Sequence, residues 1–206
     1  MSKKNYLALF AKSFNWAGFF LPKNTYHDCS KLYAFCRVLD DMVDEKDSLG
    51  LRIERFYEIK NIFKKNYERI INDENELCQK EHELIVNDMI ILADNNNIKR
   101  IILDDLIEGV ESDLKPKVHL RTVKDLLIYS YKVAGTVGLM MAKILNVNDT
   151  RSLKGAIDLG IAMQLTNIAR DVIEDQKMNR QYIGSDFKDI EATLKLADMF
   201  YESSFS

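Results

Sequence analysis

The feature that most constrains this chain is apolar spacing with a helical period, sustained nearly from end to end. Asp28 to Glu45 places Leu32, Phe35, Cys36, Leu39 and Val43 at i, i+3 and i+4 intervals, which lines one face of a helix. Leu51 to Ile71 repeats the pattern with Ile53, Phe56, Ile59, Ile62 and Phe63 among charges. Glu81–Ala93 and Arg100–Ser112 read as two more helices across a polar turn at Asp94–Asn97. Pro116 closes that stretch. Thr122–Leu145, Leu153–Glu174 and Ile190–Tyr201 follow, with a turn at Asn146–Asp149. No alternating pattern survives beyond a few residues. With only 2 Pro and 8 Gly in 206 residues, the chain cannot supply the frequent turns of a sandwich or barrel. The prediction is one all-α domain over 1–206, long enough to bury roughly 70% of its unfolded surface.

The formal net charge of −3 gives no global field for nucleic acid or an anionic membrane, so no nucleic-acid partner is expected. An anionic ligand would have to be held by local charge or by metal. Cys29, Cys36 and Cys78 lack metal-ligand spacing and read as reduced thiols. His27, His82 and His119 offer neither a zinc motif nor a triad histidine. A basic start at Lys3 and Lys4 leads into Tyr6–Phe10, but Lys12 interrupts the run and no cleavage site follows. The charge-free apolar runs Ser13–Pro22 and Val133–Ala142 are about half the ~20 residues of a spanning helix. The expected location is cytoplasmic, with contact at the face of a membrane as the alternative.

Two segments carry the chemistry. On a regular helix, Tyr33, Arg37, Asp40 and Asp44 fall within an arc of about 60°. Gln164, Asn167, Asp171 and Asp175 fall within about 80°. A solvated face would set Lys four residues from each acid, whereas Asp40 meets Asp44 there and Asp171 meets Asp175. Like charges at that spacing destabilise a helix by a few tenths of a kcal/mol, and Asp is a weak helix former. Two such stripes are costly unless a cation lies among them. All-oxygen ligands, carboxylates with the Asn167 amide, select a hard ion such as Mg²⁺. Mg²⁺ held by one or two carboxylates commonly shares its shell with a phosphate-bearing substrate, which points to a diphosphate. Arg37, Arg170 and Lys12 would add direct contacts to its oxygens.

At these residues the sequence resembles the squalene/phytoene synthase family. Tyr33-Ala34-Phe35-Cys36-Arg37 before Asp40-x-x-x-Asp44 is similar to the family's first aspartate motif. Gln164-Leu165-Thr166-Asn167-Ile168 before Asp171-x-x-x-Asp175 is similar to its second. Val133-Ala134-Gly135-Thr136-Val137-Gly138-Leu139-Met140-Met141 resembles the helix between them, and Lys12-Ser13-Phe14 with Leu21-Pro22 the N-terminal pattern. Gly138–Met141 and Asn167–Asp171 most resemble bacterial phytoene synthases. Ala11 stands where the family often has Ser, and Asn179-Arg180-Gln181-Tyr182-Ile183-Gly184 replaces a Gly-Arg-x-Tyr-Leu-Pro segment. The family normally continues for several helices past the position of Ser206.

The resemblance implies a class I isoprenoid (terpenoid) synthase bundle, here C-terminally truncated. It implies that Asp40, Asp44, Asn167, Asp171 and Asp175 hold Mg²⁺, or Mn²⁺ in its place. Tyr33, Arg37, Gln164 and Arg170 would contact substrate, and Lys12 and Ser13 would bind phosphate. The implied reaction joins two prenyl diphosphates head to head, two geranylgeranyl diphosphates giving phytoene without a nicotinamide. A squalene or dehydrosqualene synthase using farnesyl diphosphate is the alternative. A non-catalytic assembly protein on the same fold, and a head-to-tail or cyclising synthase suggested by the Asp40-Asp41-x-x-Asp44 string, also stand. An apolar tail cavity would draw on Phe14, Ala134, Val137, Leu165, Met140 and Met141, residues that equally suit a helical core.

Overall fold

The computed structural model of the chain describes Trp16, Gly18 and residues 20–44, 47–71 and 81–206. Lys12, Ser13 and Phe14 lie outside the described residues. The chain divides into two compact units, 1–99 and 100–206.

The first unit is helical. Helix α1 (Lys23–Asp44) starts directly after Pro22, five residues ahead of the apolar stripe that predicts it. Its first turn is polar, so the stripe could not mark it, but the Tyr26 amide already donates to the Pro22 carbonyl at 2.9 Å. Helix α2 spans Leu49–Ile71 and α3 spans Glu81–Asn95. Phe35, Phe56, Phe63, Met89 and Ile90, each 1% exposed or less, form the centre of this unit. Burying a side chain of this size stabilises by about 1.5–3 kcal/mol. A polar side chain joins that interior: Asn66 on α2 donates to Asn87 (2.8 Å) and Glu83 (3.2 Å) on α3. Asn97, with φ of 52°, turns the chain out of α3.

The second unit opens with α4 (Arg100–Glu111) and a single 3₁₀ turn, Ser112–Leu114. A two-residue strand β1 (Val118–His119) pairs in parallel with β2 (Arg180–Gln181), Val118 opposite Arg180. Helix α5 (Val123–Ser130) begins at a capping box: the Thr122 hydroxyl accepts from the Asp125 amide, and the Asp125 carboxylate accepts from the Thr122 amide. The rod then widens into a π-helical segment, Tyr131–Gly135, before resuming as α6 (Thr136–Ile144). The widening is explicit in the Thr136 amide, which donates to the Tyr131 carbonyl five residues back. The Thr136 hydroxyl donates to the Lys132 carbonyl at 2.7 Å. Gly109 of α4 makes room, since a Cβ there would lie 2.7 Å from that of Lys132.

Helix α7 (Thr150–Arg170), capped by Asp149, crosses α6 at van der Waals distance between backbones. A Cβ on Gly138 would sit 2.1 Å from the Ala156 carbonyl oxygen, and one on Gly160 would sit 2.3 Å from that of Ala134. Helix α8 (Val172–Lys177) follows, and α9 (Phe187–Ser204), capped by Asp186, runs along α7. Leu126, Tyr129, Ile161, Leu165, Ile168, Tyr182 and Ala197 form the unit's core. Leu165 and Met140 are both fully buried, so they are core residues in this structure rather than walls of an open cavity. Ala134, Val137 and Met141 are half-buried.

Candidate active site

The first acidic motif sits on the last three turns of α1. Its alternate face, Leu32, Phe35, Leu39, Met42 and Val43, is buried, which turns Tyr33, Arg37, Asp40 and Asp44 outward together. Asp40 and Asp44 are exposed, Tyr33 and Arg37 half-buried. Arg37 pairs with Asp41 at 2.6 Å, an i, i+4 pair on the edge of the stripe. Within the Asp-Asp doublet, Asp41 pairs with Arg37 and Asp40 is exposed, as is Asp44 one turn on. Burial, with the Asp40 and Asp41 charges, raises the Tyr33 phenol above its ordinary value against the opposing pull of Arg37. Burial and the Asp40 charge also push the Cys36 thiol well up, so it is a poor nucleophile. Cys29 and Cys36 are both free thiols.

The second motif straddles a bend. Sequence periodicity gives one helix through Glu174, whereas the structure breaks α7 from α8 at Asp171, with φ −100° and ψ 15°. The amide of Asp171 still donates to Asn167, and that of Asp175 to Asp171, both at 2.9 Å, so the bend is a kink and not an end. Arg170 grips Asp171 with two bonds, Nε to Oδ1 at 2.7 Å and Nη2 to Oδ2 at 2.5 Å. This pairing holds the Asp171 carboxyl below the usual carboxylate range. Arg170 remains 67% exposed on its side chain, able to exchange one oxyanion for another. Gln164, Asn167 and Asp175 are half-buried; Asp175 edges a crevice with Ile168, Arg180 and Tyr182.

A buried network beneath this motif was not assigned from sequence. Tyr129 on α5 and Tyr182 after β2 both donate to Asp113 in the 3₁₀ turn, at 2.7 and 2.8 Å. Their hydroxyls are 3.0 Å apart, and the rings stack with centroids 4.7 Å apart. All three residues are less than 9% exposed. Burial, and then the Asp113 charge, raise both phenols far above their ordinary values. The network ties the segment after the second motif to α5. Tyr182 was legible only as part of the Asn179–Gly184 segment, and Asp113 had no signal in the sequence.

Among the described residues no group of three or more His, Cys, Asp or Glu side chains converges as a ready metal centre. The donor set nonetheless suits Mg²⁺: exposed or half-buried oxygens, two carboxylates per motif, and Asn167 beside the second. Mg²⁺ keeps several waters and needs only one or two carboxylates when phosphate completes the shell.

The squalene/phytoene synthase family model matches residues 7–203. The chain belongs to the squalene/phytoene synthase family. It is 36% identical over 181 residues to a 15-cis-phytoene synthase of Paracoccus sp., covering 87% of this chain and 58% of that protein. It is 33% identical over 182 residues to the 15-cis-phytoene synthase of Pantoea ananas, covering 86% and 57%. The chain thus spans less than three-fifths of these curated relatives. Among solved structures, a dehydrosqualene synthase in complex with ligand matches with a TM-score of 0.76 at 27% identity, covering 97% of this chain and 73% of that one. A squalene synthase from Alicyclobacillus acidocaldarius shares the fold, with a TM-score of 0.72 at 19% identity, covering 95% and 78%. The all-α reading and the terpenoid synthase fold stand. Among the described residues no helix is long and apolar enough to cross a membrane.

Proposed function

We propose that this chain carries the catalytic motifs of a prenyltransferase that condenses two prenyl diphosphates head to head, forming phytoene from two molecules of geranylgeranyl diphosphate. The observation that carries the reading is the intact pair of acidic motifs, each with two Asp at i, i+4 and its own arginine already gripping a carboxylate. That combination is wasteful on a surface helix and useful around a metal-bound anion. Both units, 1–99 and 100–206, are proposed to serve one synthase domain.

Asp40 and Asp44 would hold Mg²⁺ at the first motif, and Asp171, Asp175 and Asn167 at the second, with Mn²⁺ as a substitute. When bound, the metal supplies positive charge to the departing diphosphate. Arg37 and Arg170 present planar forks that fit phosphate as well as carboxylate, and each can trade its Asp for a phosphate oxygen. Tyr33, Gln164, Lys12 and Ser13 are assigned to substrate contact. The chemistry is loss of diphosphate from one allylic substrate and attack by the double bond of the second. Loss of a proton as the three-membered ring closes gives a cyclopropylcarbinyl diphosphate. Loss of the second diphosphate, rearrangement and loss of a proton yield the hydrocarbon, with no reductant. Such a product is insoluble in water, so a cytoplasmic enzyme touching the membrane face is proposed for its delivery.

The structural likeness to a dehydrosqualene synthase favours a second reading, the same coupling on farnesyl diphosphate. Incubating the chain, together with any sequence that follows Ser206 in its gene, with C15 and C20 diphosphates and Mg²⁺ separates the two. A C40 triene-centred hydrocarbon supports phytoene synthesis, and a C30 product the alternative. Absence of hydrocarbon from either substrate refutes both.

A further inference from the structure

We propose that Trp16, Phe20 and Lys23 form a docking surface for an anionic lipid bilayer, seating the first unit on a membrane face. The inference deepens the delivery step proposed above and takes its purpose from that reading, while its physical basis is separate. Trp16 and Phe20 meet edge to face, with ring centroids 5.4 Å apart and planes at 77°. Despite that contact they stay 68% and 76% exposed. The other phenylalanines described in this unit, Phe35, Phe56 and Phe63, are 1% exposed or less. Two large rings left in water forgo the burial that those three gain. The backbone holds them there. Gly18, between them, is buried, the Leu21 amide donates to the Gly18 carbonyl at 3.0 Å, and α1 starts two residues later.

Charge selects what covers the pair. Residues 1–27 contain four lysines and no acid, while the whole chain carries −3, which leaves −7 for residues 28–206. Lys12 is assigned to substrate; Lys3, Lys4 and Lys23 remain. Lys23 is exposed, three residues past Phe20. A second copy docked through this same patch would set lysines against lysines. An anionic leaflet is complementary to it, and each lysine near the surface adds attraction. Trp suits the boundary, with an apolar body and one polar N–H. Phe187 and Phe205 in the second unit are as exposed, at 77% and 86%. Their surroundings in sequence are net negative, with Asp186, Lys188 and Asp189 about the first and Glu202 before the second. The same leaflet would repel them. The seat is peripheral, because the charge-free run Ser13–Pro22 is about half the length of a span.

Trp16 is the only tryptophan in the sequence, so its fluorescence reports the proposed contact directly. The purified chain is titrated, without substrate or metal, with vesicles of phosphatidylcholine alone or mixed in equal parts with phosphatidylglycerol. On the mixed vesicles, emission should shift to shorter wavelength and be quenched by bromine-labelled acyl chains. Neutral vesicles should bind about tenfold more weakly or worse. Phe20→Ser leaves the reporter in place and should raise the half-saturating lipid concentration about tenfold, from the apolar area withdrawn. Lys23→Gln should raise it about fivefold, the worth of one cation at an anionic surface. Phe187→Ser, which removes an equally bare ring, should change nothing. Unchanged emission on the mixed vesicles overturns the inference. So do equal affinities for the two compositions, a Phe20→Ser chain that binds as the parent does, or an equal loss in Phe187→Ser. Free-chain emission already at short wavelength and moving with protein concentration would place a second copy on the patch, and overturns it too. Should Phe20→Ser fail to fold, Lys23→Gln decides by its own loss. Vesicle binding by a chain that forms no hydrocarbon refutes the synthase and leaves the surface standing; hydrocarbon from a chain that ignores vesicles does the reverse.

Discussion

Replacing Gly138 by Ala is expected to destabilise the protein by about 2 kcal/mol, although Ala is the better helix former. The added Cβ would meet the Ala156 carbonyl oxygen at 2.1 Å and its carbon at 3.0 Å. These are backbone atoms of α7, so no side chain can swing aside. The α6–α7 crossing must open by about 1 Å, and overpacking of this kind costs about 1–3 kcal/mol, here at the upper end. The gain in helix propensity returns about 0.5–1 kcal/mol. For a chain of this length the net loss corresponds to a fall in Tm of about 4–8 °C. Gly50 provides the internal control: it lies in α2, and a Cβ there meets nothing within 4 Å. Gly50→Ala should raise Tm by about 1–4 °C from propensity alone. Thermal unfolding followed by circular dichroism at 222 nm reads both. A Gly138→Ala variant as stable as the parent would refute the close-crossing account, and a destabilised Gly50→Ala would refute the propensity term.

Asp40→Ala and Asp171→Ala should each abolish hydrocarbon formation while leaving the circular dichroism spectrum unchanged; full turnover in either would remove the metal role of that motif. Tyr182→Phe deletes one of two phenol donors to a buried carboxylate and should cost about 1.5–3 kcal/mol in urea unfolding; a change under 0.5 kcal/mol would mean Asp113 does not depend on it. The Asp171 carboxyl, held down first by the Arg170 bonds, should titrate below the ordinary ~3.9 in a ¹³C NMR experiment. Its contribution to stability is present above that ordinary value and fades as pH falls through the depressed one, and Arg170→Met should bring the midpoint back up. Tyr129 and Tyr182, raised by burial and by Asp113, should stay protonated past pH ~10 in an ultraviolet titration. Stability from these two is complete below that point and is lost as pH rises above it. Their ionisation with the exposed tyrosines would contradict the buried network.

Much of the fold follows from spacing. Phe35, Leu39 and Val43 mark the buried side of α1, and the acidic stripe is the remainder of the same helix read from its other face. Thr122 with Asp125 announces the start of α5, and Asn146, with φ of 61°, the end of α6. What escaped the sequence depends on specific side-chain contacts, most of them distant along the chain. The kink at Asp171 coincides with a bidentate grip by Arg170, which periodicity, blind to side-chain bonds, treats as one more helical residue. The π segment needs Gly109, more than 20 positions earlier, to yield space. Asp113 joins Tyr129 and Tyr182 from 16 and 69 positions away, and no local pattern marks a carboxylate that will be buried. Strands of two residues, β1 and β2, are too short for alternation to register.

The π-helical segment has a consequence for how this rod tolerates change. A single wide turn is one residue richer than its α counterpart, so the side chains before it are rotated by about 100° relative to those after it. Tyr129 on one side and Gly138 on the other keep their separate appointments, with Asp113 and with Ala156, only because that surplus residue is present. Deleting any one of residues 131–135 would let the rod rewind as plain α-helix and look locally improved. It would also wheel the phenol away from its carboxylate or drive a side chain into the crossing, so the apparent defect is what lets one helix serve two incompatible partners.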